Sequence, residues 1–60
     1  MKTNFDFTKP IVFEGWKYYV RSIREKIGNG YYLRSFSEQE SDFYAEVYPN
    51  KLVQLKDLEQ

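Results

Sequence analysis

Hydrophobic and polar positions alternate along much of the chain, and the alternation stops at residues that favour turns. Phe5 and Phe7, then Ile11 and Phe13, alternate with Asp6, Val12 and Glu14, and Pro10 separates the two pairs. A period of two is the pattern of a half-buried strand, and Pro is tolerated where a strand begins or lies at an edge. The pattern predicts a strand at about 10–14 after a loose N-terminal arm over residues 1–8, whose 3–8 stretch suits edge pairing. Further on, Phe43, Ala45 and Val47 alternate with Tyr44, Glu46 and Tyr48, and Leu52-Val53-Gln54-Leu55 forms a short last strand. Between them Pro49-Asn50-Lys51 is a turn, and Ser37 to Asp42 is a polar, acidic loop. The last five residues suit one helical turn or a frayed end, with Leu58 folding back onto the body of the protein.

The stretch from Trp16 to Ile27 has two readings. With helical spacing, Trp16, Val20, Ile23 and Ile27 form one stripe, with Glu14 before it, Arg24 and Lys26 in the last turn, and Gly28 after it. With a period of two, Trp16, Tyr18 and Val20 share a face, and a one-residue slip near Arg21-Ser22 brings in Ile23, Glu25 and Ile27. Tyr18-Tyr19-Val20 favours strand, and Asn29-Gly30 is a strong signal for a two-residue hairpin. Folding about Asn29-Gly30 pairs Gly28 with Tyr31, Ile27 with Tyr32, Lys26 with Leu33 and Glu25 with Arg34, and sets Ile23 against Phe36. The expectation is a single mainly β domain over residues 1–60: a small barrel, or a strongly bent antiparallel sheet of four to five strands. The alternative is an α+β chain with a helix at about 16–27.

Closing such a sheet removes the exposed edges that a short β chain must otherwise protect. Gly15-Trp16-Lys17-Tyr18-Tyr19-Val20, Gly30-Tyr31-Tyr32-Leu33 and the closing Val47…Leu52-Val53-Gln54-Leu55 resemble, at the level of hydrophobic pattern, the SH3-like small barrels. The resemblance spans about 45 residues and implies a small closed barrel of four to five strands. It transfers no ligand site, because the paired tyrosines and acidic loop of peptide-binding SH3 domains have no counterpart in register.

Composition narrows the function. The 60 residues include no His and no Cys, which excludes disulfides and thiolate zinc and removes the usual general base. Catalysis would fall to carboxylates such as Glu38 with Glu40 or Asp42 with Glu46, and these sit in a solvated stretch. Ser22, Ser35, Ser37 and Ser41 have no base beside them in the sequence, and Gly28-Asn29-Gly30 lacks the Lys and following helix of a phosphate loop. Glu38, Glu40 and Asp42 lack the Gly and terminal Glu of a calcium loop. The expectation is therefore no enzyme, no catalytic residue, no cofactor and no metal. Tyr, Phe and Trp make up 20% of the chain, so the aromatic rings are expected to supply the core and its rim.

The formal net charge is zero, yet charge is segregated along the chain. Residues 16–36 carry Lys17, Arg21, Arg24, Lys26 and Arg34 against Glu25 alone, a net +4. Residues 37–48 carry Glu38, Glu40, Asp42 and Glu46 and no base, a net −4. The basic stretch is interleaved with Tyr19, Tyr31 and Tyr32, and Arg and Tyr are residue types that anchor interfaces. This predicts a binding module whose partner is another protein: an adaptor, inhibitor or regulator, of a size class common on phages and mobile elements. The alternative is RNA or single-stranded DNA, with the cations on phosphates and the tyrosines stacked on bases. Self-association is a third expectation, the basic hairpin of one copy meeting the acidic segment of another. No apolar run is long enough to span a membrane and the opening residues do not form a secretory signal, so no membrane partner and a cytoplasmic location are expected.

Overall fold

A computed structural model describes residues 4–48 and 50–60. Six strands follow in order: β1 (Ile11–Phe13), β2 (Trp16–Tyr18), β3 (Val20–Ile27), β4 (Gly30–Arg34), β5 (Tyr44–Val47) and β6 (Lys51–Gln54). A single 3₁₀ turn, Leu55–Asp57, follows β6. The chain is mainly β, with more and shorter strands than the pattern suggested. β1 and β2 form a two-stranded antiparallel sheet, and the other four form a second antiparallel sheet in the order β4-β3-β5-β6. Neither sheet closes into a barrel. No α-helix forms among the described residues, and residues 16–27 are β2, Tyr19 and β3.

The first hairpin turns on Glu14 and Gly15, both with positive φ (+52° and +82°). Positive φ at both central positions is the geometry of a type I′ turn, and it ends the expected strand at Phe13. Tyr19 separates β2 from β3. Immediately beyond it the pairing of β3 with β5 slips: Val20 lies opposite Val47, but Ser22 lies opposite Glu46. Arg21 is the extra residue, a bulge where the one-residue slip was expected. Its effect is to reverse the alternation, so that Val20 and Ile23 both face inward. The helix-like spacing of Trp16, Val20, Ile23 and Ile27 is a by-product of this bulge, and the two end members, Trp16 and Ile27, are exposed.

The second hairpin is set two residues away from the expected register. Ile27 pairs with Gly30, Lys26 with Tyr31, Glu25 with Tyr32, Arg24 with Leu33 and Ile23 with Arg34. The turn is therefore Gly28-Asn29, and of these two only Gly28 has positive φ (+61°), as in a type II′ turn with Gly first. Gly30 is thereby moved into the strand, where a Cβ would meet the Tyr32 ring at 3.2 Å. A shift of two residues keeps every side chain on its expected face and changes only its partners.

The four-stranded sheet has a dry inner face. Ile23, Ala45, Val47 and Val53 lie on it, and Ile11, Phe43, Leu55 and Leu58 complete the buried core. Phe43 is the one aromatic side chain of that core; Phe5, Phe7, Phe13 and Tyr18 are packed partly against it. The core is mostly aliphatic and the rings form its rim. Leu58 is buried, and Glu59 continues as a bridge to Val12 (N–H···O 2.7 and 3.0 Å), joining the chain's end to β1.

Of the expected arm, residues 1–3 lie outside the described residues. The Gln39 side-chain amide accepts from the Phe5 N–H (2.6 Å) and donates to the Phe5 carbonyl (2.9 Å). The Gln60 amide does the same at Asp6, at 2.7 and 2.5 Å. Two glutamines thus satisfy backbone groups that a neighbouring strand would otherwise take.

Candidate interaction surface

β5 begins at Tyr44, opposite Arg24, so β3 and β4 project beyond the rest of their sheet as a two-stranded ribbon. Opposed residues in an antiparallel pair share a face, which sorts the side chains into two sets. The outer face carries Ser22, Arg24, Lys26, Tyr31, Leu33, Tyr44, Glu46 and Leu52. The inner face of the ribbon carries Glu25, Ile27, Tyr32 and Arg34, beyond the reach of the core. The basic and aromatic residues therefore do not all meet on one surface.

Lys17 is exposed on β2, in the other sheet. Tyr19 is exposed at the β2–β3 junction, where its carbonyl accepts from the Tyr48 N–H at 3.2 Å. Arg21, at the bulge, donates to the Asn50 side-chain oxygen at 3.3 Å, a neutral partner that leaves its charge uncompensated. Arg21 lies at the opposite end of β3 from Lys26, roughly 16 Å along the strand. At the ribbon, Lys26 is exposed and its ammonium stands 5.9 Å from the Tyr31 ring centre. Tyr31 meets Tyr44 edge-on at 5.4 Å. Tyr32 is on the reverse side, 55% exposed.

Two of the guanidinium groups are held inside the fold. Arg24 lies 3.7 Å from the Glu46 carboxylate, and its Nε donates to Ser22 Oγ (3.2 Å), which itself donates to Glu46 (2.8 Å). Arg34 donates to Glu25 through Nε (2.8 Å) and through a second nitrogen to the same oxygen. Glu25 and Arg34 are diagonal neighbours, within reach of long side chains on a shared face. Among the described residues, no ion pair involves Lys17, Arg21 or Lys26.

The acidic residues are dispersed too. Glu46 is on the outer face with Arg24, whereas Glu38 accepts from the Ser35 N–H (3.1 Å) and closes its own loop. Glu40 is half-buried, and Asp42 is exposed before β5. Glu46 is ion-paired with Arg24 and Glu38 is tied to its own loop, so the four carboxylates of the −4 segment do not form one acidic face. Among the described residues no cluster of carboxylates is arranged to hold a metal ion, and no helix is long and apolar enough to cross a membrane.

Two features of this surface had little or no local signal. Leu33 is 66% exposed, in the middle of β4, next to Lys26 and Tyr31 on the outer face. A crevice of about 250 Å³ lies between the arm and the β4–β5 connection, lined by Phe5, Phe7, Phe36 and the Gln39 amide among others. Phe7 and Phe36 are in contact there, 5.5 Å between ring centres, although 29 positions separate them in the chain. No family model, no curated protein and no solved structure matches this chain.

Proposed function

We propose that this chain is a non-catalytic binding module whose partner is another protein, engaged by the outer face of the β3–β4 ribbon. The observation that carries the reading is the composition of that face: Leu33 and Tyr31 exposed beside Lys26, a cation with no carboxylate partner among the described residues. An apolar and aromatic centre with a positive rim suits a protein surface bearing a matching acidic group. Phosphate chains are a poorer match. Arg24 and Arg34 already hold carboxylates, and Lys17 and Arg21 stand apart, so Lys26 is the one uncompensated cation on the ribbon.

The test is affinity capture with the immobilised chain, with and without nuclease, beside the Lys26→Glu variant. A defined protein retained after nuclease and lost with Lys26→Glu is the expected result. Retention that disappears with nuclease, or that falls steeply as salt rises, would favour nucleic acid instead.

A further inference from the structure

We infer that β4 is a docking edge for a second copy of this chain, joining two four-stranded sheets into one antiparallel sheet across a two-fold axis at Tyr32. The two residues flanking a two-residue turn exchange hydrogen bonds, so Ile27 and Gly30 form a bonded pair, as do Glu25/Tyr32 and Ile23/Arg34. Tyr31 and Leu33 are then the non-bonded positions, with their N–H and C=O groups directed away from β3 at the sheet's edge. No described residue takes these four groups. The edge stops on both sides: the Gly28-Asn29 turn ends it at one, and at the other Ser35 already donates to Glu38 (3.1 Å) and accepts from it (3.0 Å).

Two free residues flanking a central one make the edge complementary to itself. Placing Tyr32 opposite Tyr32 of a second copy sets Tyr31 opposite Leu33 and Leu33 opposite Tyr31. Both are bonded pairs, so every free group on both edges is used in four hydrogen bonds. A centre at Leu33 would instead call on the occupied Ser35, and one at Tyr31 would call on the turn. The side chains agree with the backbone. Exposed Leu33 covers the Tyr31 ring of the other copy on the outer face, and two half-exposed Tyr32 rings meet on the inner face. Arg34 falls opposite Gly30, so no like charges confront each other, and a chain of zero net charge carries no general repulsion. β4 has no Pro, no Lys and no bulge, and its one charge, Arg34, is held by Glu25 of the same copy. This contact is distinct from pairing of basic and acidic segments, since it rests on backbone groups and apolar side chains of β4. It leaves Lys26 open but draws Tyr31 and Leu33 into the contact, so a second copy and the partner proposed above share two residues of the outer face.

A junction of this size is weak, with half-association on the order of 100 µM. Sedimentation equilibrium from about 1 µM to about 1 mM should show the mass rising from one chain toward two. Leu33→Pro removes a donor that the single chain does not use and should weaken association by at least about tenfold with an unchanged far-UV spectrum. Tyr32→Cys, the sole thiol in the chain, should oxidise to a covalent dimer much faster than Tyr31→Cys, because a non-bonded pair at the axis brings its Cα atoms within disulfide range. A one-chain mass at about 1 mM, or equal crosslinking at both positions, overturns the inference. If Leu33→Pro fails to fold, the two cysteine variants decide. Protein capture by the unaltered chain at about 1 µM, where it is monomeric, separates this question from the partner reading, which fails if Lys26→Glu is without effect or if retention disappears with nuclease.

Discussion

Strand β3 has two halves with the same alternation and opposite outcomes. In the first, Ile23 is fully buried between the sheet and the segments that cover it; in the second, Ile27 is on the same face and 50% exposed. The difference is cover. β5 begins opposite Arg24, and the core residues from β1 and the chain's end lie over the first half only. Alternation decides which face a side chain takes, and a second layer decides whether that face is dry. The second half stays open to solvent because no described core residue lies over it.

The comparison breaks most readily at its centre, at protein concentrations low enough to keep the chain monomeric. Ile23→Ala should cost about 2–5 kcal/mol, whereas Ile27→Ala should cost no more than about 0.5 kcal/mol. Urea unfolding of the two variants measures this, and equal losses would mean that the ribbon is covered after all. Gly28→Ala should cost about 1–2 kcal/mol even though nothing stands within 4 Å of the added Cβ, because the strain lies in the +61° φ. Ser22→Ala should cost about 1 kcal/mol, through the loss of the hydroxyl that links Arg24 and Glu46. A double-mutant cycle on Glu25 and Arg34 should give a smaller coupling, about 0.5 kcal/mol, since both groups keep about a third of their surface in water.

The smallest effect belongs to the arm. The Thr8 hydroxyl and then the Thr8 amide donate to the Asp6 carboxylate, and with Lys9 nearby they hold it below the usual aspartate value of 3.8. A depressed carboxyl stabilises the arm above the ordinary aspartate value, and that contribution disappears as pH falls through the lowered one. The Thr8 amide resonance should follow this titration with a midpoint under 3.8, and Asp6→Asn should abolish it.

Much of this was legible in the residues because strand period and turn chemistry are local. The alternation of Phe43, Ala45 and Val47 matches their burial, and the slip near Arg21 is the bulge. The second hairpin was recognisable as a hairpin, but Gly28-Asn29 and Asn29-Gly30 are both acceptable turns, and the choice between them depends on how well the two strands fit. The Glu14-Gly15 turn was the readable signal that went unused. The aromatic count misled about the core, because ring size indicates what could be buried and says nothing of where a covering layer runs out.

By itself, then, the amino-acid order determined a mainly β chain, its inward and outward positions, and a charge separation along its length. Only the tertiary structure decided which carboxylate met which guanidinium, which glutamines held the arm, and which edge of the sheet stayed open. The physical reason is range. Faces and turns are set by neighbours one to four residues apart, whereas Glu46 with Ser22, or Gln60 with Asp6, meet across 24 and 54 positions. Such partners exist only once the chain has closed on itself.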